Sequence, residues 1–132
     1  MKKTLLLIIA LFIVGCDNNS TEPEDDVHPL VGVWNQIEYT ISDNNTSTTT
    51  TLDENTISTY IFNEDNTYIY DSIDWDELGT WSTNENKLTT VDIERDDFII
   101  RDYSISGDIL TMIEAFVLNE EPATYETKWK KQ

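Results

Sequence analysis

From residue 30 onward the chain repeats one pattern: short runs of alternating apolar and polar residues, broken at close intervals by Asn, Asp or Gly. Side chains alternate across a strand with a period of two, whereas a helix needs apolar residues at three- and four-residue spacing sustained over several turns. No stretch after Cys16 sustains that helical spacing between a cap and a stop. Runs at 32–41, 48–52, 57–63, 67–73, 79–83, 87–93, 98–106, 109–118 and 124–130 read as strands. Asn63-Glu64-Asp65-Asn66, Asn84-Glu85-Asn86 and Gly107-Asp108 read as hairpin turns, and Asn66 can take the left-handed conformation that Gly otherwise supplies. In the first run Ile37, Tyr39 and Ile41 share one parity and Trp34 has the other, which predicts a bulge or bend just after Trp34. In the last run Tyr125, Thr127 and Trp129 point one way and Glu126, Lys128 and Lys130 the other. The predicted fold is all-β, a barrel or sandwich, and closure into a small antiparallel up-and-down barrel of about eight strands would remove the strand edges that such a chain otherwise exposes.

The first sixteen residues, MKKTLLLIIALFIVGC, follow a different logic. Lys2 and Lys3 precede an unbroken apolar run from 5 to 14. A bilayer span needs about 20 such residues, so the run is too short to remain as an anchor and reads as a secretory signal peptide. It ends in Gly15-Cys16, and Cys16 is the only cysteine of the chain, so it has no disulfide partner. The expected division is residues 1–15 as signal peptide, 16–29 as lipidated cysteine and acidic tether, and 30–132 as the barrel domain. The tether carries five carboxylates and no aromatic residue, and reads as disordered. Its thirteen residues after Cys16 would reach ~45 Å stretched and average ~20 Å as a flexible coil.

Removing the first 15 of 132 residues leaves 117, the size of one domain. Both signal lysines leave with them, so 26 acidic residues face 6 basic ones, a net charge of −20 against −18 for the whole chain. Such a surface repels nucleic acid and anionic headgroups and excludes them as expected partners. It suits solubility, or a cationic partner. Without a second cysteine the core must hold the fold unaided.

Several motifs taken together resemble known families. Ile13-Val14-Gly15-Cys16 resembles the lipobox of bacterial lipoproteins, which implies acyl chains on Cys16 and a lipid-anchored place in the cell envelope. The acidic cluster after Cys16 resembles surface-export signals of Bacteroidota lipoproteins, whereas Asp17 resembles the inner-membrane retention signal of enterobacteria; the outer membrane is the expected location. Gly32-Val33-Trp34 is similar to the G-x-W signature at the first lipocalin strand. With Ile61-Phe62-Asn63-Glu64-Asp65-Asn66, Gly79-Thr80-Trp81 and Ser106-Gly107-Asp108-Ile109, in that order, the chain from 30 to 130 resembles the small lipocalin-like domains of bacterial lipoproteins. The resemblance implies a barrel with Gly32 and Trp34 at its base and a small apolar ligand. Lipocalins place an Arg from a late strand over that Trp; this chain departs from the pattern, since its last run offers Lys128 and Lys130 and no Arg. Trp34, Tyr39, Phe62, Tyr68, Trp81, Tyr103, Met112 and Trp129 are expected to fill most of the interior, which argues against a roomy pocket.

The sequence points away from catalysis. His28 is the only histidine and falls in the tether, so a serine or cysteine triad has no base, and zinc sites of His and Cys are excluded with it. No cofactor and no metal are expected. Asp74-Trp75-Asp76-Glu77-Leu78-Gly79, with Glu85, comes close to a calcium loop, but Leu78 stands where a ligand belongs; Asp92, Glu94, Asp96 and Asp97 form a second acidic knot. Both are read as solvated loop charge. Asp71-Ser72-Ile73 matches a short O-glycosylation pattern, and Ser72 is read as facing solvent on a strand. Tyr68 is read as core, with Tyr70 and Trp75 open between core and an outer aromatic patch. Two functional classes remain: a non-catalytic carrier of a small apolar ligand, and an acidic interaction or inhibitor module for a cationic envelope protein. The Ser-Gly-x-x-Tyr motif of lysozyme-inhibitor lipoproteins is broken by Leu110 after Ser106-Gly107-Asp108-Ile109.

Overall fold

The computed structural model describes residues 26–53 and 58–132, and every regular element among them is a strand. These are β1 (Gly32–Ser42), β2 (Ser47–Thr51), β3 (Thr59–Phe62), β4 (Thr67–Asp71), β5 (Asp76–Asn84), β6 (Lys87–Asp92), β7 (Asp97–Ser106), β8 (Ile109–Leu118) and β9 (Glu121–Lys131). Antiparallel neighbours follow chain order from β3 to β9, and β1 closes the ring by pairing with β3 on one side and β9 on the other. The result is an eight-stranded up-and-down barrel of lipocalin-like form, with β2 as an additional strand. Cys16 and the lipobox lie outside the described residues.

The predicted bulge is present, and it does more than reset parity. The register of β1 against β9 shifts between Gln36 and Glu38. Trp34 and Gln36 are buried before it; beyond it Tyr39 and Ile41 face the partners Thr127 and Tyr125. At the same point β1 changes its other neighbour. Gln36 N–H donates to Ser58 O, while Leu52 N–H donates to Ile37 O, so β3 and β2 lie in tandem along one edge of β1. The Ser/Thr-rich β2 thus extends the wall beyond the end of β3.

The turn chemistry follows the sequence. Asn66 has φ 64°, Asp65 Oδ1 accepts from Thr67 N–H at 3.0 Å, and Gly107 takes φ 61° in the β7–β8 turn. Strand limits differ where side chains bond locally. β4 stops at Asp71, because Ser72 Oγ donates to Trp75 O and accepts from Trp75 N–H, forming a turn. Ser72 is therefore a turn residue rather than a solvent-facing strand residue. β5 starts earlier than expected, at Asp76, so most of the supposed calcium loop is strand.

One end of the barrel is sealed. The lower interior holds Trp34, Phe62, Trp81, Leu88 and Leu110, all 5% exposed or less. Leu30, fully buried, caps them from a turn in which Val31 N–H donates to His28 O. Trp34 Nε1 donates to Leu30 O at 2.7 Å. His28, placed by its sequence context in the tether, instead packs its ring 5.2 Å from that of Trp81 and lies 3.2 Å from Thr83 Oγ1. The cation over Trp34 is Lys131, not Lys128 or Lys130: its Nζ stands 5.2 Å from the ring centroid and donates to Pro29 O. Lys128 pairs with Glu38 at 2.7 Å instead, on the outer wall. Gly32 is needed beneath this lysine, since its φ is 136° and a Cβ would stand 2.8 Å from Lys131 Cε.

Candidate ligand site at the open end of the barrel

The opposite end carries the β1–β2, β4–β5, β6–β7 and β8–β9 connections, and among the described residues no further segment caps it. A cavity of about 260 Å³ occupies the upper interior. Its two sides differ in chemistry because different strands supply them. Tyr60 of β3, Tyr70 of β4, and Tyr125 and Trp129 of β9 form an aromatic wall, continued to the rim by Trp75 of the β4–β5 turn. Ring centroids lie 4.8 Å apart for Tyr60 and Tyr70, 4.9 Å for Tyr60 and Trp129, and 6.1 Å for Tyr70 and Trp75. Glu77 of β5, Arg95 of the β6–β7 turn, Arg101 of β7 and Glu114 of β8 form the facing charged wall.

Every charge on that wall is engaged. Arg101 Nε donates to Glu114 Oε2 at 3.1 Å and its Nη1 to Thr90 Oγ1 at 3.1 Å. This pair stands where the wall parts. The β7–β8 ladder ends at Asp102 and Ile113, while β7 continues along β6 and β8 along β9. Arg101 and Glu114, the next residues up, bridge the seam with side chains. Their side chains are 14% and 32% exposed, so solvent screens the pair only in part. Glu77 accepts a hydrogen bond from Tyr68 Oη and lies 3.6 Å from Arg95 Nη2. Arg95 Nε in turn donates to Asp92 Oδ2 at 2.8 Å.

The ionisation of the tyrosines reflects these surroundings. Burial pushes the Tyr60 phenol up to about 12, opposed by the positive charge of Arg101. Tyr68 is pushed up further, first by burial and then by its bond to the Glu77 carboxylate, so it remains a neutral donor. Tyr125 is raised by burial.

The expected interior residues fall largely as placed. Tyr68 is core, and Tyr70 also faces inward; Ile69, Asp71 and Ile73 lie outside, with Ile73 72% exposed. Trp75 is half exposed at the rim above Tyr70. Gly32 and Trp34 belong to the sealed end and take no part in the cavity. The two acidic knots are not solvated loop charge throughout. Glu77 faces the cavity, and Asp92 is buried, its Oδ1 accepting from the N–H groups of Glu94 and Arg95. Among the described residues no three His, Cys, Asp or Glu side chains are grouped to hold a metal ion. The charged wall was missed at the level of sequence, yet it left a signal: Arg101 is in phase with Ile99, Tyr103 and Ile105, Glu114 with Leu110 and Met112, and Glu77 with Trp81.

No protein-family model, curated protein or solved structure matches the chain.

Proposed function

We propose that this chain is a lipoprotein anchored in the cell envelope through acyl chains on Cys16, whose non-catalytic barrel takes up a small ligand at its open end. The observation that carries the reading is the cavity of about 260 Å³ in the upper interior, lined by Tyr60, Met112 and Trp129 above the packed lower core. Small-molecule sites are concave, mostly apolar and furnished with a few convergent polar groups, and this one combines aromatic rings with fixed ion pairs. At ~30 Å³ per water the space equals about nine waters, enough for a compact ligand and not for a long acyl chain. The chain enters the barrel at the sealed end, which favours a mouth directed away from the membrane that holds Cys16. The test is to purify the full chain from membranes, extract it and identify co-purified small molecules by mass spectrometry. A stoichiometric compact ligand supports the reading, and repeated recovery of an empty protein that binds no small molecule contradicts it.

A second reading has an observation of its own. Leu78, Phe98 and Ile100 project from the outer faces of β5 and β7, and Ile93 stands beside Leu78 in the β6–β7 turn, each more than half exposed. Asp76, Asp97 and Asp102 lie along the same strands. An apolar strip on an acidic domain suits a cationic, amphipathic protein partner. Phe98→Ser with Ile100→Ser would abolish capture of such a partner and leave the cavity ligand bound.

A further inference from the structure

We infer that the ligand of the open-end cavity is a neutral sugar ring, laid with one C–H face on the aromatic wall and its hydroxyl edge toward Arg101, Glu114 and Glu77. The inference rests on the reading of the cavity as a ligand site and names the class of ligand it takes. The division of the cavity by strand carries the argument. Rings from β3, β4 and β9, with Gln36 and Thr127 beside them, cover one side; the other holds all the charged groups of the lining, from β5, β7, β8 and the β6–β7 turn, interspersed with Ile99 and Met112. A ligand that matches both sides must itself be two-faced, apolar on a flat surface and rich in hydroxyls at its edge. The available 260 Å³ accommodates about a dozen non-hydrogen atoms at the packing density of organic solids, the size of one hexose.

Other ligand classes fit less well. An apolar ligand would strip water from Arg101 and Glu114 and return no hydrogen bond, and desolvating an ion pair without compensation is costly. Hydroxyl groups replace the lost water as both donors and acceptors. An anion gains little, because the two guanidinium groups of the wall are already matched by Glu77 and Glu114, and the whole chain carries −18. A cation would meet the Arg101 guanidinium, the less exposed member of its pair.

The test uses the full chain in lipid nanodiscs and saturation-transfer NMR. Glucose, galactose, mannose and N-acetylglucosamine are offered at millimolar concentration, with cyclohexanol as an apolar ring and tetramethylammonium as a cation. At least one sugar receives saturation, most strongly at its ring C–H protons. Trp75→Ala, at an exposed rim position, weakens that sugar by about three- to tenfold through loss of a ring contact. Arg101→Met combined with Glu114→Met exchanges the ion pair for apolar side chains, so sugar binding falls below detection and cyclohexanol binding rises. Sugar binding that both variants leave unchanged overturns the inference. Binding of cyclohexanol or tetramethylammonium without any sugar also overturns it, while leaving the cavity as a ligand site. Failure of every probe, with no co-purified ligand, overturns the inference and the proposed function together.

Discussion

Gly79→Ala tests the packing on which the charged wall stands. Gly79 lies opposite Tyr68 in the β4–β5 ladder, and the fully buried tyrosine ring lies across the glycine backbone. A Cβ there would overlap the Val91 carbonyl oxygen and stand 2.7 Å from Cζ of Tyr68. The first obstacle is backbone held in the β5–β6 ladder and the second is a ring with no free space, so neither yields by a rotamer change. Overpacking of this kind costs about 1–3 kcal/mol, and the backbone clash places Gly79→Ala near the top of that range. Alanine recovers about 0.5–1 kcal/mol by restricting the unfolded chain. The net loss is about 2–2.5 kcal/mol, which for a domain of roughly 100 residues lowers the melting temperature by about 8–20 °C. Gly107→Ala serves as the control, since a Cβ there meets nothing within 4 Å and only its φ of +61° opposes the change. Its cost is about 1 kcal/mol. Thermal unfolding followed by near-ultraviolet circular dichroism reads both variants. A Gly79→Ala protein that melts within about 3 °C of the parent, or above the Gly107→Ala protein, would mean that Tyr68 and the Val91 carbonyl do not pack against Gly79 as described.

Three further outcomes follow from the same structure. Leu30→Ala removes the fully buried cap of the sealed end and should cost about 2–5 kcal/mol in denaturant unfolding; a loss under about 1 kcal/mol would mean that the cap is not packed as described. Alkaline pH should unfold the barrel through Tyr60, whose phenol is held near 12 against 10 when unfolded. Below pH 10 both states keep the proton and stability is unaffected; between pH 10 and 12 only the unfolded chain loses it, so stability falls by about 1.4 kcal/mol per pH unit, with Tyr68 acting in the same direction. Constant stability across that window in urea titrations would contradict the burial of Tyr60. Cys16→Ser should move the protein from the membrane to the soluble fraction and abolish incorporation of an alkyne-tagged fatty acid, because each buried methylene of an anchor contributes about 0.8 kcal/mol.

Much of the barrel was legible because its signals are local. Alternation within each run, Asn66 and Gly107 in the turns, and the parity break after Trp34 depend on neighbours a few residues apart. The missed features are those set by distant partners. Nothing near Lys131 announces that it, rather than Lys128 or Lys130, will cover Trp34; the closure of β1 on β9 and the buried Leu30 turn decide that. His28 looks like part of an acidic tether until Trp81 and Thr83, more than fifty residues away, come within reach. Glu77 belongs to an acidic run by sequence, and it turns inward because β5 begins at Asp76 and alternation then carries it to the Trp81 side. Arg101 and Glu114 were readable in principle, as charges in phase with apolar strand faces, but their pairing across the seam depends on where the β7–β8 ladder ends. Periodicity assigns a side chain to the interior, and topology decides what it meets there.

If the open end binds a ligand and the sealed end does not, the four tryptophans of the chain report it, because they divide between those ends. Trp75 and Trp129 line the cavity; Trp34 and Trp81 lie in the packed lower core. Two-dimensional NMR of the ¹⁵N-labelled indoles during titration with a sugar that shows saturation transfer reads the four positions at once. A ligand seated at the open end shifts the Trp75 and Trp129 signals progressively and leaves Trp34 and Trp81 unmoved. Shifts confined to Trp34 and Trp81, or saturable binding that moves none of the four, would contradict that seating.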